Sequence, residues 1–343
     1  MTGTLSGEAS KANTTLTVDL HTHSQTVMPR WLRAGGELLL SMPSEPLANL
    51  ARGRVNVAVV AAVGDPIGTL WQPRSAWAAL MRQLATARKE AHEAGMEVIL
   101  SAEQLTRRDR SAIVLGIEGA DLIGQDPMRL EPLHQVGVRV IGLVHYADNN
   151  IGTIGASLLG KRQSWAIRSG RRRAGLTSLG RELVSEMNRL GILVDLAHAD
   201  RATTVAACEN SHAPVVSSHT GASAIQQFPR YISDEEAEAI ASTGGLIGLW
   251  PMGFRGVGMV DLDDFARHAS HLAELVGTRH LCIGTDMNGV PGYLREFSSS
   301  RDIRALTARL LKIGFSPSDV EGIAGGNAAR VLHATMPRGG PTI

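Results

Sequence analysis

Short apolar runs punctuate the chain at 15–20, 55–61, 112–117, 138–143, 192–196, 214–217, 245–249 and 281–284. They are rich in Val, Ile and Leu and mostly lack polar alternation, as parallel strands do when helices cover one side and a barrel core the other. Longer stretches between them, at 75–94, 126–135, 178–190, 202–210, 234–242 and 262–276, read as helices. Ser233 ahead of Asp234-Glu235-Glu236, and Asp261 ahead of an apolar-periodic segment, supply helix-start chemistry. Strand then helix, repeated, predicts an α/β fold: one (β/α)8 TIM barrel over residues 15–333, with a flanking region near 30–54 and a long connection near 149–175. Residues 1–14, small and polar, are expected to form a disordered leader rather than a signal peptide, and 334–343 a polar tail.

Composition narrows the function classes. Hydrophobic residues make up 43% and charged residues 20%, and 34 Lys and Arg against 33 Asp and Glu leave a net charge of +1. That balance excludes wholesale disorder and a strongly basic nucleic-acid surface. The two cysteines, Cys208 and Cys282, lack CxxC spacing and are expected to be packed thiols. The apolar runs fall far short of a bilayer span of roughly 20 residues, so no membrane partner is expected and the cytoplasm is the expected location. One local anomaly stands out: Lys161, Arg162, Arg168, Arg171, Arg172 and Arg173, with Trp165 among them, form a stretch without Asp or Glu. It would serve as a lid for an anionic substrate, as an intersubunit contact, or simply as a solvated loop.

Ionisable residues gather where the apolar runs end, and a barrel builds its reactive centre at the carboxyl ends of its strands. His21 and His23 end the first run, Glu118 the third, and His145, His198, His219 and Asp286 follow the fourth, fifth, sixth and eighth. The i, i+2 pair His21 and His23 faces one side of an extended segment; alone it would equally cap a strand. Joined by His198 and His219, it supplies the nitrogen ligands that Zn2+ accepts. Glu118, a carboxylate closing an apolar run, needs a partner to stay charged. It would bridge two metals about 3.5 Å apart, with His21 and His23 on one and His198 and His219 on the other; an arginine salt bridge is the alternative.

Asp286 suits a base that takes a proton from the attacking water, or a carboxylate that contacts the substrate amine. His145 would face the developing oxyanion, and Arg230 would pair with a substrate carboxylate. Structural roles remain open for each: a turn carboxylate, a packed histidine, a surface charge. His92, His134, His212, His268, His271, His280 and His333 receive no chemical role.

The motifs Asp19-Leu-His21-Thr-His23, Gly116-Ile-Glu118-Gly, Leu143-Val-His145, Asp195-Leu-Ala-His198, Ser217-Ser-His219, Gly284-Thr-Asp286 and Gly326-Asn-Ala-Ala-Arg-Val-Leu332 occur in this order. In them the chain resembles the membrane (renal-type) dipeptidase family of zinc peptidases, within the amidohydrolase-like barrels. The resemblance implies two Zn2+ per chain, hydrolysis of small dipeptides including L,D-dipeptides by metal-activated bridging water, and a homodimer. Residue by residue it implies His21, Glu118, His198 and His219 as metal ligands, His145, Arg230 and Asp286 as substrate contacts, and Asp286 as the acid-base group. The family pattern differs at three places. It has Asp where His23 stands, often a second Asp at Asn288, and Asn at Tyr231. His23 retains metal-binding capacity, and because a His-x-His start is usual in related amidohydrolases, a cyclic amide or N-acyl substrate is the alternative; a metal-free barrel used for binding or assembly is the non-enzyme one.

Overall fold

Eight apolar runs become eight fully buried strands: β1 Val18–His23, β2 Val57–Val63, β3 Ala112–Glu118, β4 Val138–Gly142, β5 Leu193–Asp195, β6 Val215–Thr220, β7 Leu246–Leu249 and β8 Leu281–Ile283. All neighbours pair in parallel, in the order β2-β1-β8-β7-β6-β5-β4-β3, and β3 pairs back onto β2 to close the ring. The protein is therefore a (β/α)8 barrel. The computed structural model describes residues 16–25, 34–38, 42–65, 69, 75–106, 110–156 and 174–339. The leader 1–14, the basic stretch 161–173 and residues 340–343 lie outside the described residues.

Inward-facing Val18, Leu20, Val57, Val59, Val114, Val140, Leu193, Val216, Leu246 and Cys282 fill the barrel. Apolar residues such as Ile113, Leu115, Val194, Val215 and Ile247 face outward and join the larger core under the helices. Helices α1 Ala76–Glu93, α2 Ser178–Leu190, α3 Arg201–Asn210, α4 Asp234–Ser242 and α5 Leu262–Val276 each carry an N-cap: Ser75, Thr177, Asp200, Ser233 and Asp261. Each cap side chain accepts an otherwise unpaired first-turn N–H. Ser233 and Glu236 form a full capping box.

Several boundaries move. β1 continues through His23, whose N–H donates to Met287 O at 2.8 Å, and β6 continues through Thr220. His21, His23 and His219 thus sit inside strands rather than beyond them. The expected helix 126–135 forms as a 3-10 turn, Pro127–Arg129, running into an α-helix, Leu130–Gln135, with extended Asp126 as the N-cap whose side chain accepts from Met128 N. Helices α6 Ile303–Lys312 and α7 Asn327–Thr335, with the short Pro317–Glu321 between them, follow β8 where the sequence suggested none. α7 runs past residue 333, and its Ala328, Val331 and Leu332, with Met336, pack onto Val18 and Leu20 inside the barrel. Cys208 and Cys282 are buried free thiols. Among the described residues no helix is long and apolar enough to cross a membrane.

Candidate metal centre

Two β-bulges aim the imidazoles. Along β1–β2, Asp19 opposes Ala58 and Thr22 opposes Val60, so three steps on β1 match two on β2. Along β6–β7 the same excess falls between Ser217 and Thr220. A bulge re-aims side chains that strict alternation would separate. Consecutive Ser218 and His219 accordingly both turn inward: Ser218 Oγ lies 2.9 Å from His219 Nδ1 and 3.3 Å from His21 Nδ1. His198, Asp286 and Asn288 take left-handed φ of 69°, 53° and 69°, a conformation that costs non-glycine residues of order 1–3 kcal/mol each and concentrates at functional sites. Gly289 leaves room for this turn: a Cβ there would collide with Asp286 Oδ1 and come within 2.8 Å of His23 Cδ2.

Five imidazoles converge on Glu118. From its Oε1, His198 Nε2 is 2.9 Å away, His219 Nε2 3.5 Å and His21 Nε2 3.6 Å. From its Oε2, His23 Nε2 and His145 Nε2 are each 3.3 Å away. The Nε2 atoms of His21 and His23 stand 3.3 Å apart, as do those of His198 and His219. Asp286 closes the ring, its Oδ1 3.2 Å from His23 Nε2 and its Oδ2 3.9 Å from His219 Nε2. All these side chains are buried.

Burial works against charge here, and the carboxylates decide where it is tolerated. Burial pushes His198 and His219 well below the usual imidazole range, reinforced by Arg230 and by neighbouring imidazoles. It opposes His23 too, but hydrogen bonds and charge from Asp286 and Glu118 win and lift it to about 10. His21 rises for the same reason, chiefly through Glu118. Glu118, despite its burial, is held well below the carboxylate range by His145 and His21 and by the hydrogen bond from His198. The pocket collects positive charge around two carboxylates.

This donor set fits divalent cations. His23 Nδ1 lies 2.8 Å from Ala61 O, a contact only an N–H can satisfy, which fixes the ring with Nε2 facing inward as the atom that would ligate a metal in place of its proton. Two nitrogens bound at about 2.0–2.1 Å to one tetrahedral ion stand about 3.3 Å apart, the spacing of both pairs. Three groups offer one donor atom per residue within 4.8 Å of one another: His21/His23/Glu118, Glu118/His198/His219 and His21/Asp195/His219. The last includes a residue the sequence reading passed over. Asp195 sits inside an apolar run, and its Oδ1 accepts from Ser218 N and Ala197 N at 2.9 and 3.0 Å. Asp65 was also missed. It follows β2 and takes His145 Nδ1 at 3.0 Å; a Gly-Asp-Pro sequence reads as a turn, which concealed it. Tyr146 packs its ring 4.0 Å from His145 and 5.1 Å from His198.

Arg230 borders the cluster, stacked 5.1 Å over Trp250 with Nη2 3.4 Å from His219 O. Asn288 is structural: its amide donates to His23 O and Glu45 O and accepts from Glu45 N, fixing the end of β1. Tyr231 is buried beside Phe228 and His268.

Residues 46–337 fit the sequence profile of the membrane dipeptidases, peptidase family M19. The chain belongs to the membrane dipeptidase family. Among curated relatives, dipeptidase aclJ of Aspergillus oryzae is 33% identical over 230 residues, 65% of this chain and 51% of that protein. The uncharacterized dipeptidase C965.12 of Schizosaccharomyces pombe is 29% identical over 229 residues, 65% of this chain and 53% of that protein. The chain spans about half the length of the curated relatives it matches. Among solved folds, dipeptidase AC, an M19 metallopeptidase, superposes with a TM-score of 0.77 at 21% identity, covering 94% of this chain and 99% of that one. A Rhodobacter sphaeroides metallopeptidase, whose structure carries a phosphinate mimic of the dipeptide L-Ala-D-Ala, gives 0.74 at 20%, covering 93% and 99%. At this identity the two establish the shared fold.

Proposed function

We propose that the protein is a metal-dependent dipeptidase cleaving small dipeptides, L,D-dipeptides among them. The observation that carries this is the convergence of five histidine Nε2 atoms on the Glu118 carboxylate in a chain of the M19 family. The Rhodobacter sphaeroides protein bound to an L-Ala-D-Ala mimic supports the substrate class. His21, His23, Glu118, His198 and His219 are the residues that would hold the metal, with Glu118 shared between two ions, and the nitrogen-rich donors favour zinc. Divalent ions bound there supply Lewis-acid polarisation of a carbonyl and a water of lowered pKa.

The chain's own residues do the rest. With Asp65 at Nδ1, His145 presents Nε2 to the substrate carbonyl and stabilises the charge that develops on its oxygen. Asp286, at the end of β8, takes the proton of the attacking water on its carboxylate and returns it to the departing amine. Arg230, held over the Trp250 ring, pairs with the terminal carboxylate through its planar fork. The test is a panel of L,L and L,D dipeptides beside their carboxamides. Free dipeptides should be cleaved and the blocked ones sharply less so; equal turnover removes Arg230 from this role, and no turnover of any dipeptide removes the function.

One observation favours a second reading: His23 stands where the family pattern has an acidic residue, leaving the site one negative charge poorer. Hydrolysis of a cyclic amide or an N-acyl compound suits such a site, and adding lactams and N-acyl amino acids to the panel separates the two. The same account has the protein working in the cytoplasm as a homodimer, which light scattering and cell fractionation would test.

A further inference from the structure

Each imidazole that turns Nε2 toward Glu118 has a second nitrogen, and the partner of that nitrogen sets which of the two carries the proton. His23 Nδ1 meets Ala61 O at 2.8 Å and His145 Nδ1 meets Asp65 at 3.0 Å, one partner to each ring. His198 Nδ1 has no partner among the described residues. His21 and His219 differ from these. Both of their Nδ1 atoms meet one oxygen, Ser218 Oγ, at 3.3 and 2.9 Å. The two rings belong to different pairs, His21 with His23 and His219 with His198, yet they lie side by side with centroids 4.2 Å apart.

The fold holds Ser218 firmly in this place. The bulge in β6 turns it inward, and Asp195 Oδ1 accepts its N–H at 2.9 Å. Its carbonyl runs so close to β7 and the end of β8 that a Cβ at Gly248 or at Gly284 would collide with it. Ser218, His219 and His21 are all buried. Neighbouring Ser217 is buried as well, but its Oγ has no partner among the described residues. A neutral imidazole that ligates through Nε2 carries its proton on Nδ1, and a hydroxyl oxygen has two acceptor lone pairs. Two such N–H groups fill both.

We propose that Ser218 is a positioning residue shared by both metal subsites: its hydroxyl oxygen accepts the Nδ1–H of His21 and of His219 and so fixes one Nε2 ligand of each pair toward Glu118. This rests on the two-ion centre proposed above. Asp195 completes the support, holding the Ser218 backbone and placing Oδ2 3.9 Å from His21 Nδ1. The His21/Asp195/His219 group is then a brace behind the ligands and not a third metal position. Partners of this kind are worth about 10- to 100-fold in metal affinity. Because one hydroxyl serves two rings, its loss reaches both ions at once.

Competition for zinc between the full-length protein and a chromophoric chelator tests this without turnover. Ser218→Ala should weaken both ions at least about tenfold relative to wild type. Ser217→Ala removes a hydroxyl from the same buried strand but touches neither ring, and should leave both affinities as in wild type. In zinc-loaded wild type labelled with 15N-histidine, NMR should show His21 and His219 protonated at Nδ1, with protons slow to exchange; this measurement decides alone where Ser218→Ala does not fold. The proposal is overturned if Ser218→Ala binds both ions as tightly as wild type, if only one ion is weakened, if Ser217→Ala weakens them as much, or if either ring lacks the Nδ1 proton. Wild type that binds fewer than two ions overturns the two-ion centre and this proposal with it, whereas two ions held equally well with and without the Ser218 hydroxyl overturn this proposal alone.

Discussion

Replacing Asp65 with Asn tests whether His145 works through its orientation. Asp65 is 1% exposed and its Oδ2 lies 3.0 Å from His145 Nδ1, while the other face of the ring meets Glu118 Oε2 at 3.3 Å. The substitution keeps the shape and removes the charge, so the hydrogen bond that fixes the ring and its Nδ1 proton is lost or reversed. A hydrogen bond to a charged group is worth about 1.5–3 kcal/mol, and each 1.36 kcal/mol is tenfold in rate. If that interaction serves the transition state, Asp65→Asn should lower kcat by about 10- to 150-fold. KM and metal content should change little, since His145, which Asp65 holds, is neither the carboxylate contact nor one of the four histidines assigned to the metal. Steady-state kinetics on a cleaved dipeptide with metal analysis on the same sample decides it. A kcat within twofold of wild type, or loss of metal in parallel with activity, would refute this account of His145.

Gly289→Ala drives a Cβ onto Asp286 Oδ1; displacement of a catalytic group by an ångström costs on the order of 100-fold, and kcat/KM should fall by that much with circular dichroism unchanged. His23→Asp brings back the acidic residue of the family pattern and a harder oxygen ligand, so competition against a chromophoric chelator should show the affinity ratio of Mn2+ to Zn2+ rising at least about tenfold. Away from the centre, burial pushes His268 down to about 4, and its Nδ1 accepts from Ala222 N at 2.9 Å, which requires the neutral ring. Its folded pKa is below its unfolded one, so the unfolded state binds the proton first as pH falls. Stability should be lost between about pH 6.5 and 4, by roughly 3 kcal/mol. Urea unfolding should show that His268→Gln flattens this loss; identical pH profiles would contradict it.

The barrel and much of its rim were legible because a parallel strand inside a barrel has no solvent face. Val, Ile and Leu run without alternation, and His21, Glu118, His198 and Asp286 stand out against them. What periodicity could not reveal was the pair of bulges, since one extra residue in a ladder leaves no mark on composition, and hence that His21, His23 and His219 lie within strands. Asp65 and Asp195 were hidden for opposite reasons, one in a turn-like Gly-Asp-Pro and the other within an apolar strand. The helices after β8 escaped notice although α6 buries Ile303, Leu306 and Leu310 in helical spacing, and Gly322–Gly326 runs as a π-helix into α7. Tyr231 looked like a recognition-motif departure; its burial against His268 belongs to tertiary packing alone.

The central claim is that His21, His23, Glu118, His198 and His219 together hold metal. Metal content per chain, measured by mass spectrometry on protein purified without chelator, tests it most directly when wild type is compared with Glu118→Gln. The account predicts about two zinc-class ions per chain in wild type and no more than about one after the shared carboxylate is neutralised. Wild-type protein that holds less than about one ion and gains none from added zinc, or a Glu118→Gln variant loaded like wild type, would contradict it.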